Sequence, residues 1–428
     1  MKKNRHKFGY LLIILLAAAG NMSAQWNRVV SPSSRVFAFK QIDSKLFAGT
    51  EDSGLWYSLN GGAGWQQHAT GLYEFNFDVS SFERSGDYLF AGTEGGGVCL
   101  SRNKGVDWEP FNSGFQSQGF VSGLIMVGDT LFAAVSYSIG MQPSGVYKTH
   151  FQTANWKYYG TGMPVNLGDI TSFVKNSNNT FFAGVTLGGI RGSIYVSRDK
   201  GYTWCGKNIS GASDVYSLAV DGNRVYAGTN NGIYYSEDEG GTWIKLSEEL
   251  NGFYIDYILF GAGKIFAAAD ANGVIYSNDN GKKWYSITKN LPIASDYISA
   301  LFLYQDNLYA AMSAGQGVWS IPLSIAGIDF KDKIPTGAVL YQNYPNPFNP
   351  STKITFNVQE ESRLTVKIYN ALGAEVERLF EGRKGSGKYS FEWNAVSLPS
   401  GVYFCALEGI PSSGGKAFRS MIKMVYIK

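Results

Sequence analysis

Between residues 36 and 321, short apolar runs alternate with polar positions at a period of two, and they recur in groups of roughly 40 residues. The most regular run is Leu46-Phe-Ala-Gly-Thr50, which returns at Leu89–Thr93, Leu131–Val135, Phe181–Val185, Val225–Thr229, Ile265–Ala269 and Leu308–Met312. Such alternation, with turn residues on both sides, reads as a strand. About ten residues earlier in each group another run begins, at Val36, Val79, Val121, Ile170, Val215, Ile255 and Ile298. A third run follows, in the form of Gly54-Leu-Trp-Tyr-Ser58 or Gly273-Val-Ile-Tyr-Ser277. A tryptophan then opens a fourth in six groups: Trp65, Trp108, Trp156, Trp204, Trp243 and Trp284.

Four short strands per group and seven groups predict an all-β ring of four-stranded sheets, a seven-bladed β-propeller over residues 25–321. The small Ala-Gly pair inside the second strand fits a place where neighbouring sheets approach closely. The seventh group runs Gly317-Val-Trp-Ser-Ile321 into Pro322 and offers no fourth strand. Trp26-Asn-Arg-Val29 is the missing strand, so the N-terminal segment is expected to complete the last sheet and remove its open edge.

Between the third and fourth strands one spacing recurs. Ser197, Asp199, Gly201 and Trp204 repeat as Ser236, Asp238, Gly240 and Trp243 and as Ser277, Asp279, Gly281 and Trp284. Asn replaces Asp in the sets around Asn60 with Trp65 and Asn103 with Trp108, and a worn copy runs from Thr149 to Trp156. An Asp or Asn before Gly, between two hydrophobic runs, is a turn whose side chain bonds nearby amides while Gly accepts positive φ. The spacing resembles the Asp-box of sialidase-type, sortilin-type and photosystem II stability factor-type propellers. That resemblance implies a structural hairpin carrying no chemistry.

Residues 322–337 form a linker with Pro322 and Pro335, and a second domain follows over 338–428. Its alternating runs at Leu364–Tyr369, Glu375–Phe380, Tyr389–Trp393, Val402–Leu407 and Phe418–Tyr426, joined by Gly-bearing turns, predict a small antiparallel β-sandwich of the immunoglobulin or fibronectin kind. The stretches Tyr344-Pro-Asn-Pro-Phe348, Val366-Lys-Ile-Tyr-Asn-Ala-Leu-Gly373, Leu398-Pro-Ser-Gly-Val-Tyr-Phe404 and Lys423-Met-Val-Tyr-Ile-Lys428 resemble the type A sorting domain of type IX secretion substrates. The resemblance implies passage through the periplasm of a Gram-negative bacterium, the type IX machinery as partner, and a final place outside the cell or on its surface.

The N-terminus agrees with export. Lys2, Lys3, Arg5 and Lys7 precede an apolar run from Phe8 to Gly20, and Met22-Ser23-Ala24 ends in a small residue, which together read as a secretory signal peptide over residues 1–24. The apolar run is too short to span a bilayer, so no transmembrane segment is expected after cleavage. Removing these residues takes four basic side chains and no acidic ones, and the balance moves from 37 against 34 to 33 against 34. A nearly neutral protein of this kind is no nucleic-acid binder, for which clustered Lys and Arg are needed. Cys99, Cys205 and Cys405 are too few and too widely spaced for a disulfide framework or metal site, and read as small buried hydrophobes.

Little in the chain points to catalysis. His6, His68 and His150 are scattered, so no metal site or cofactor is expected. The arginines Arg28, Arg35, Arg84, Arg102, Arg191, Arg198 and Arg224 do not form the triad of a sialidase, and neither its Phe-Arg-Ile-Pro motif nor a Walker or dinucleotide fingerprint is present. The inner strands of a propeller run side by side around the axis, so the residues just before each first strand meet at one mouth of the channel. That column reads Arg35, Asp78, Phe120, Asp169, Asp214, Tyr254 and Tyr297, a mixture suited to a polar ligand with apolar faces. Tyr73, Phe75, Phe77, Phe115 and Phe253 add aromatics on loops of the same face. The expected function is noncatalytic binding of an extracellular protein or glycan. A glycoside hydrolase using two channel aspartates is the alternative, distinguished by carboxyls that converge in a deep cleft with one pKa raised.

Overall fold

The computed structural model describes residues 26–29, 34–51, 53–68, 72, 78–117, 119–137, 143–164, 168–186, 193–293, 297–313, 316–323, 338–341, 343–414 and 417–428. The signal segment, residues 324–337 of the linker and the Tyr73, Phe75 and Phe77 loop lie outside them, while Pro322 at the start of that linker ends the strand Val318–Pro322. Among the described residues there are seven four-stranded antiparallel sheets, six built from four consecutive strands and the seventh from three consecutive strands and the N-terminal one, plus a three-stranded and a four-stranded sheet formed by the C-terminal residues. No helix among them is long and apolar enough to cross a membrane.

Each of the seven sheets repeats one meander. The first comprises Val36–Ile42, Lys45–Thr50, Gly54–Ser58 and Gln66–His68 in that order. First strands of successive sheets contact one another from the first sheet to the seventh, and the seventh contacts the first again, so the sheets stand in cyclic order around an axis. The expected closure is observed: Asn27–Val29 pairs antiparallel with Val318–Pro322, with Arg28 opposite Trp319. Trp26, 1% exposed, anchors this strand by packing against Phe266, Ile287 and Ile321 and donating its indole N–H to the Ile287 carbonyl.

Packing between sheets explains the Ala-Gly pair. A side chain at Gly49 would come within 2.3 Å of the Val79 carbonyl oxygen, and one at Gly228 within 2.6 Å of that of Ile255. These second strands are therefore buried on both faces, and small residues let the next sheet's first strand approach.

The recurring turns use the hydrogen bonds expected of them. Ser236 donates its hydroxyl to Asp238 at 2.8 Å and accepts the Gly240 amide at 2.8 Å, while Asp238 accepts the Thr242 amide at 2.8 Å. Asp199, Asp279 and Asn60 accept the corresponding amides of Thr203, Lys283 and Gly64. Asn103 accepts that of Asp107. The Thr242 bonds hold the Asp238 carboxyl down at about 2. Trp204 and Trp284 close the turn by donating their indole N–H groups to Gly201 and Gly281. Cys205 departs from expectation: it opens the outermost strand of the fourth sheet and is exposed, whereas Cys99 and Cys405 are buried.

In the C-terminal unit, Ala338–Leu340, Ser351–Val358 and Gly387–Asn394 form one sheet. Glu375–Lys384, Ser362–Asn370, Gly401–Pro411 and Phe418–Tyr426 form the other. Alternate residues of both, including Ile354, Phe356, Val366, Ile368, Cys405 and Leu407, make one core between them. Phe348 of the Tyr-Pro-Asn-Pro-Phe stretch stacks between Trp393 and Tyr426, at 5.3 and 5.1 Å between ring centroids.

Candidate functional site

The inner strands carry a feature that a strict period of two does not anticipate. In six sheets the register slips by one residue at the start of the first strand, between Val36 and Ala38, Val79 and Ser81, Val121 and Gly123, Ile170 and Ser172, Val215 and Ser217, and Ile298 and Ala300. Each slip is a β-bulge that leaves one residue unpaired. The bulged residues are Phe37, Ser80, Ser122, Thr171, Tyr216 and Ser299, and Asp256 holds the same place in the sixth sheet, where its amide reaches the Ala268 carbonyl. All seven line a single cavity of about 900 Å³ around the axis. Three of the hydroxyls also join neighbouring sheets, Ser80 donating to Val121, Thr171 to Val215 at 2.7 Å and Ser299 to Val36 at 2.6 Å.

Of the expected mouth residues, Arg35, Phe120 and Asp169 line this cavity. The Arg35 guanidinium lies 4.5 Å from the centre of the Phe37 ring and 5.4 Å from that of Tyr297, and among the described residues its buried Nε meets no hydrogen-bond partner. Asp78, Asp214, Tyr254 and Tyr297 do not line it, but each stands beside a lining group. Asp78 is opposite Glu94 in register, Tyr254 stacks on Tyr216 at 6.1 Å, and Tyr297 meets Arg35. Asp214 accepts the Ser213 hydroxyl, and its charge acts on Tyr216. Two loop aromatics do not face solvent. Phe253 is fully buried, and Phe115 stacks on Trp156 at 4.9 Å, because each plugs the gap beneath its own loop.

Two carboxylates that the repeat alignment does not single out complete the wall. Glu94 ends the second strand of the second sheet; burial raises its pKa, reinforced by the negative field of Asp78, Glu51 and Asp169 and opposed by Arg35. Asp256 is pushed up to about 7 by burial and then by Asp270, with Lys388 and Arg35 opposing. Burial, followed by the charges of Asp214, Asp256 and Asp270, likewise raises Tyr216. In sequence Asp256 stands two residues beyond Tyr254, past the reach of a column drawn just before each first strand. Among the described residues no group of three or more His, Cys, Asp and Glu could hold a metal ion.

Residues 342–419 match the Secretion system C-terminal sorting domain. The chain carries a type IX sorting domain. The protein is therefore secreted by the type IX route to the cell surface or the exterior. No curated protein matches the chain. Among solved structures it is similar to YCF48 from Cyanidioschyzon merolae, with 14% identity, TM-score 0.57, and 70% of this chain and 98% of that one covered. The same figures for PorZ of the human oral-microbiomic Porphyromonas gingivalis, a surface component of the type IX secretion system, are 16%, 0.53, 92% and 60%. For the WD40 β-propeller domain of Doa1 they are 16%, 0.50, 69% and 96%. At such identities the likeness is one of fold, and that fold is the β-propeller.

The sorting domain meets the propeller on the side of the channel mouth, at the fifth and sixth sheets. Lys388 Nζ lies 3.3 Å from Asp270 Oδ1, in the turn between the second and third strands of the sixth sheet. At Gly252, whose φ is +72°, a side chain would come within 2.3 Å of the Gln359 carbonyl oxygen. Burial, and then the Asp270 charge, raises the pKa of Tyr341, which is 4% exposed.

Proposed function

We propose that the protein is a noncatalytic binding protein of the cell surface or exterior, whose propeller takes a protein or glycan ligand at its channel mouth. The carrying observation is the cavity of about 900 Å³, which Arg35, Glu94, Asp169 and Asp256 line together with Phe37, Phe120 and Tyr216. A rigid ring that gathers both signs of charge and several aromatic faces in a concave opening suits recognition. In this reading residues 1–24 are a cleaved signal peptide, 25–321 a seven-bladed Asp-box propeller of the BNR kind, 322–337 a linker and 338–428 the sorting domain that engages the type IX machinery. The mouth residues Arg35, Asp78, Phe120, Asp169, Asp214, Tyr254 and Tyr297 form the site together with Glu94 and Asp256. YCF48 has been seen bound to a D1 peptide, which supports a protein ligand for a propeller of this fold.

The test is a binding screen of the mature chain against extracellular proteins and glycans. A hit weakened by Asp169→Asn supports the reading, and failure of every hit to respond to mouth substitutions overturns it. One observation favours the hydrolase as a second reading: Glu94 and Asp256 are two carboxyls with raised pKa in one cavity.

A further inference from the structure

We propose that the channel mouth binds a cationic polypeptide segment, taking lysine or arginine side chains between its carboxylates and its aromatic rings. The inference rests on the binding reading above and narrows its ligand. Glu94, Asp169 and Asp256 line the cavity, and Arg35 is the one basic side chain among the described residues that do so. Asp214 and Asp270 add charge at the fifth and sixth sheets, where both act on Tyr216. This excess is local, since the mature chain is close to neutral overall. A concave acidic wall concentrates cations and repels anions.

The protein itself shows which groups this wall accepts. The Arg35 guanidinium stands over the rings of Phe37 and Tyr297, and the Lys388 ammonium, brought by the sorting domain, stands 3.3 Å from Asp270. Both are cations held at the mouth, one by aromatic faces and one by a carboxylate. Asp256, next to the carboxylate that Lys388 engages, makes no ion pair within the chain among the described residues, and Tyr216 beside it offers a ring face. The carboxylates stand on different sheets around the axis, so one small amine cannot meet them all. A chain segment bearing two or more basic side chains can.

Fluorescein-labelled oligoarginine, titrated at pH 8, where Asp256 is ionised, into the mature full chain and followed by anisotropy, tests this. Asp169→Asn and Asp256→Asn are each expected to weaken binding about fivefold, as charge-assisted contacts do. Lys388→Ala, which frees Asp270, is expected to tighten it about threefold. The gain is decisive because a variant that merely misfolds cannot bind better. Oligoglutamate should not compete. Equal binding by wild type, Asp169→Asn and Asp256→Asn would overturn the proposal, as would displacement only by a neutral glycan. The second result leaves the binding reading standing, whereas the absence of any mouth-dependent ligand removes both. Displacement by an amino-sugar oligomer more strongly than by oligolysine would place the cation on a glycan and likewise overturn the polypeptide assignment.

Discussion

Ser299 in the seventh sheet donates its hydroxyl to the carbonyl of Val36 in the first, at 2.6 Å and across 263 positions of sequence. It closes the ring together with the Tyr309 hydroxyl, which donates to the Gly61 carbonyl, and the strand Asn27–Val29. The strand is the largest of these, because it covers the edge of Val318–Pro322 and carries Trp26 into a core of Phe266, Ile287, Ile298 and Ile321. Deleting residues 25–32 should expose that edge and lower both melting temperature and monodispersity. Trp26→Ala alone should cost about 3–5 kcal/mol, and Ser299→Ala about 1 kcal/mol. Thermal unfolding and size-exclusion chromatography check all three, and an unchanged deletion variant would refute the closure.

The repeated turns separate the role of charge from that of geometry. In the fifth sheet Ser236 both donates to Asp238 and accepts the Gly240 amide, so Ser236→Ala leaves two partners short. A loss of about 1–2 kcal/mol is expected. Asp238→Asn keeps an acceptor for the Thr242 amide, as Asn60 does for Gly64, and should change stability by less than about half of that. Comparable losses in the two variants, measured by denaturant unfolding, would show that the carboxylate charge holds the turn.

The groups of strands, the closing strand and the C-terminal sandwich were legible because each rests on local periodicity and turn chemistry, which repeat enough to be recognised. The wall of the site was legible only in part. Arg35, Phe120 and Asp169 fall in the expected column at the start of their strands, but Phe37, Tyr216 and Asp256 lie two residues further along the chain, beyond a column drawn only at the strand start. Glu94 was hidden for another reason: it closes a second strand, and only its pairing with Asp78 brings it to the mouth. Lys388 against Asp270 joins residues 118 positions apart in different domains, beyond any reading of local pattern.

Export is expected to depend on the sorting domain and not on the propeller. Truncation after Lys333 removes the matched residues 342–419 and leaves all seven propeller sheets. The shortened protein should fold and remain in the periplasm. Cell fractionation decides this, and normal arrival of the truncated protein outside the cell would show that the address lies elsewhere.

Asp256 makes stability depend on pH in a defined direction. Its folded pKa of about 7 is above the ordinary carboxyl value, so the folded state holds a proton that the unfolded chain has released. Stability contributed by that proton is complete below about pH 4 and is lost as pH rises through about 7. Asp256→Asn should therefore stabilise the protein at pH 8, by at most about 4 kcal/mol and by less to the extent that Lys388 and Arg35 offset the charge. At pH 4 the variant and wild type should melt alike. A pH-independent difference between them would mean that Asp256 does not titrate in this range.

Asp169 and Asp214 decide between binding and catalysis. Asp169 lines the cavity, and Asp214, held by the Ser213 hydroxyl at 2.7 Å, stands beside Tyr216 on the adjacent sheet. Replacing either by Asn keeps size and hydrogen-bonding capacity while removing charge. In a ligand platform the affinity should fall by about 1–3 kcal/mol, read by calorimetry with whatever ligand the screen returns. In a hydrolase the same change would abolish most turnover while substrate still bound, because proton transfer needs an ionisable group and not only a shape. Glu94→Gln and Asp256→Asn extend the test to the two carboxyls whose protons are held most tightly. The expected outcome is graded loss of binding and no glycan hydrolysis by any form. Hydrolysis by the wild type that disappears in one of these four variants would make the channel mouth an active site.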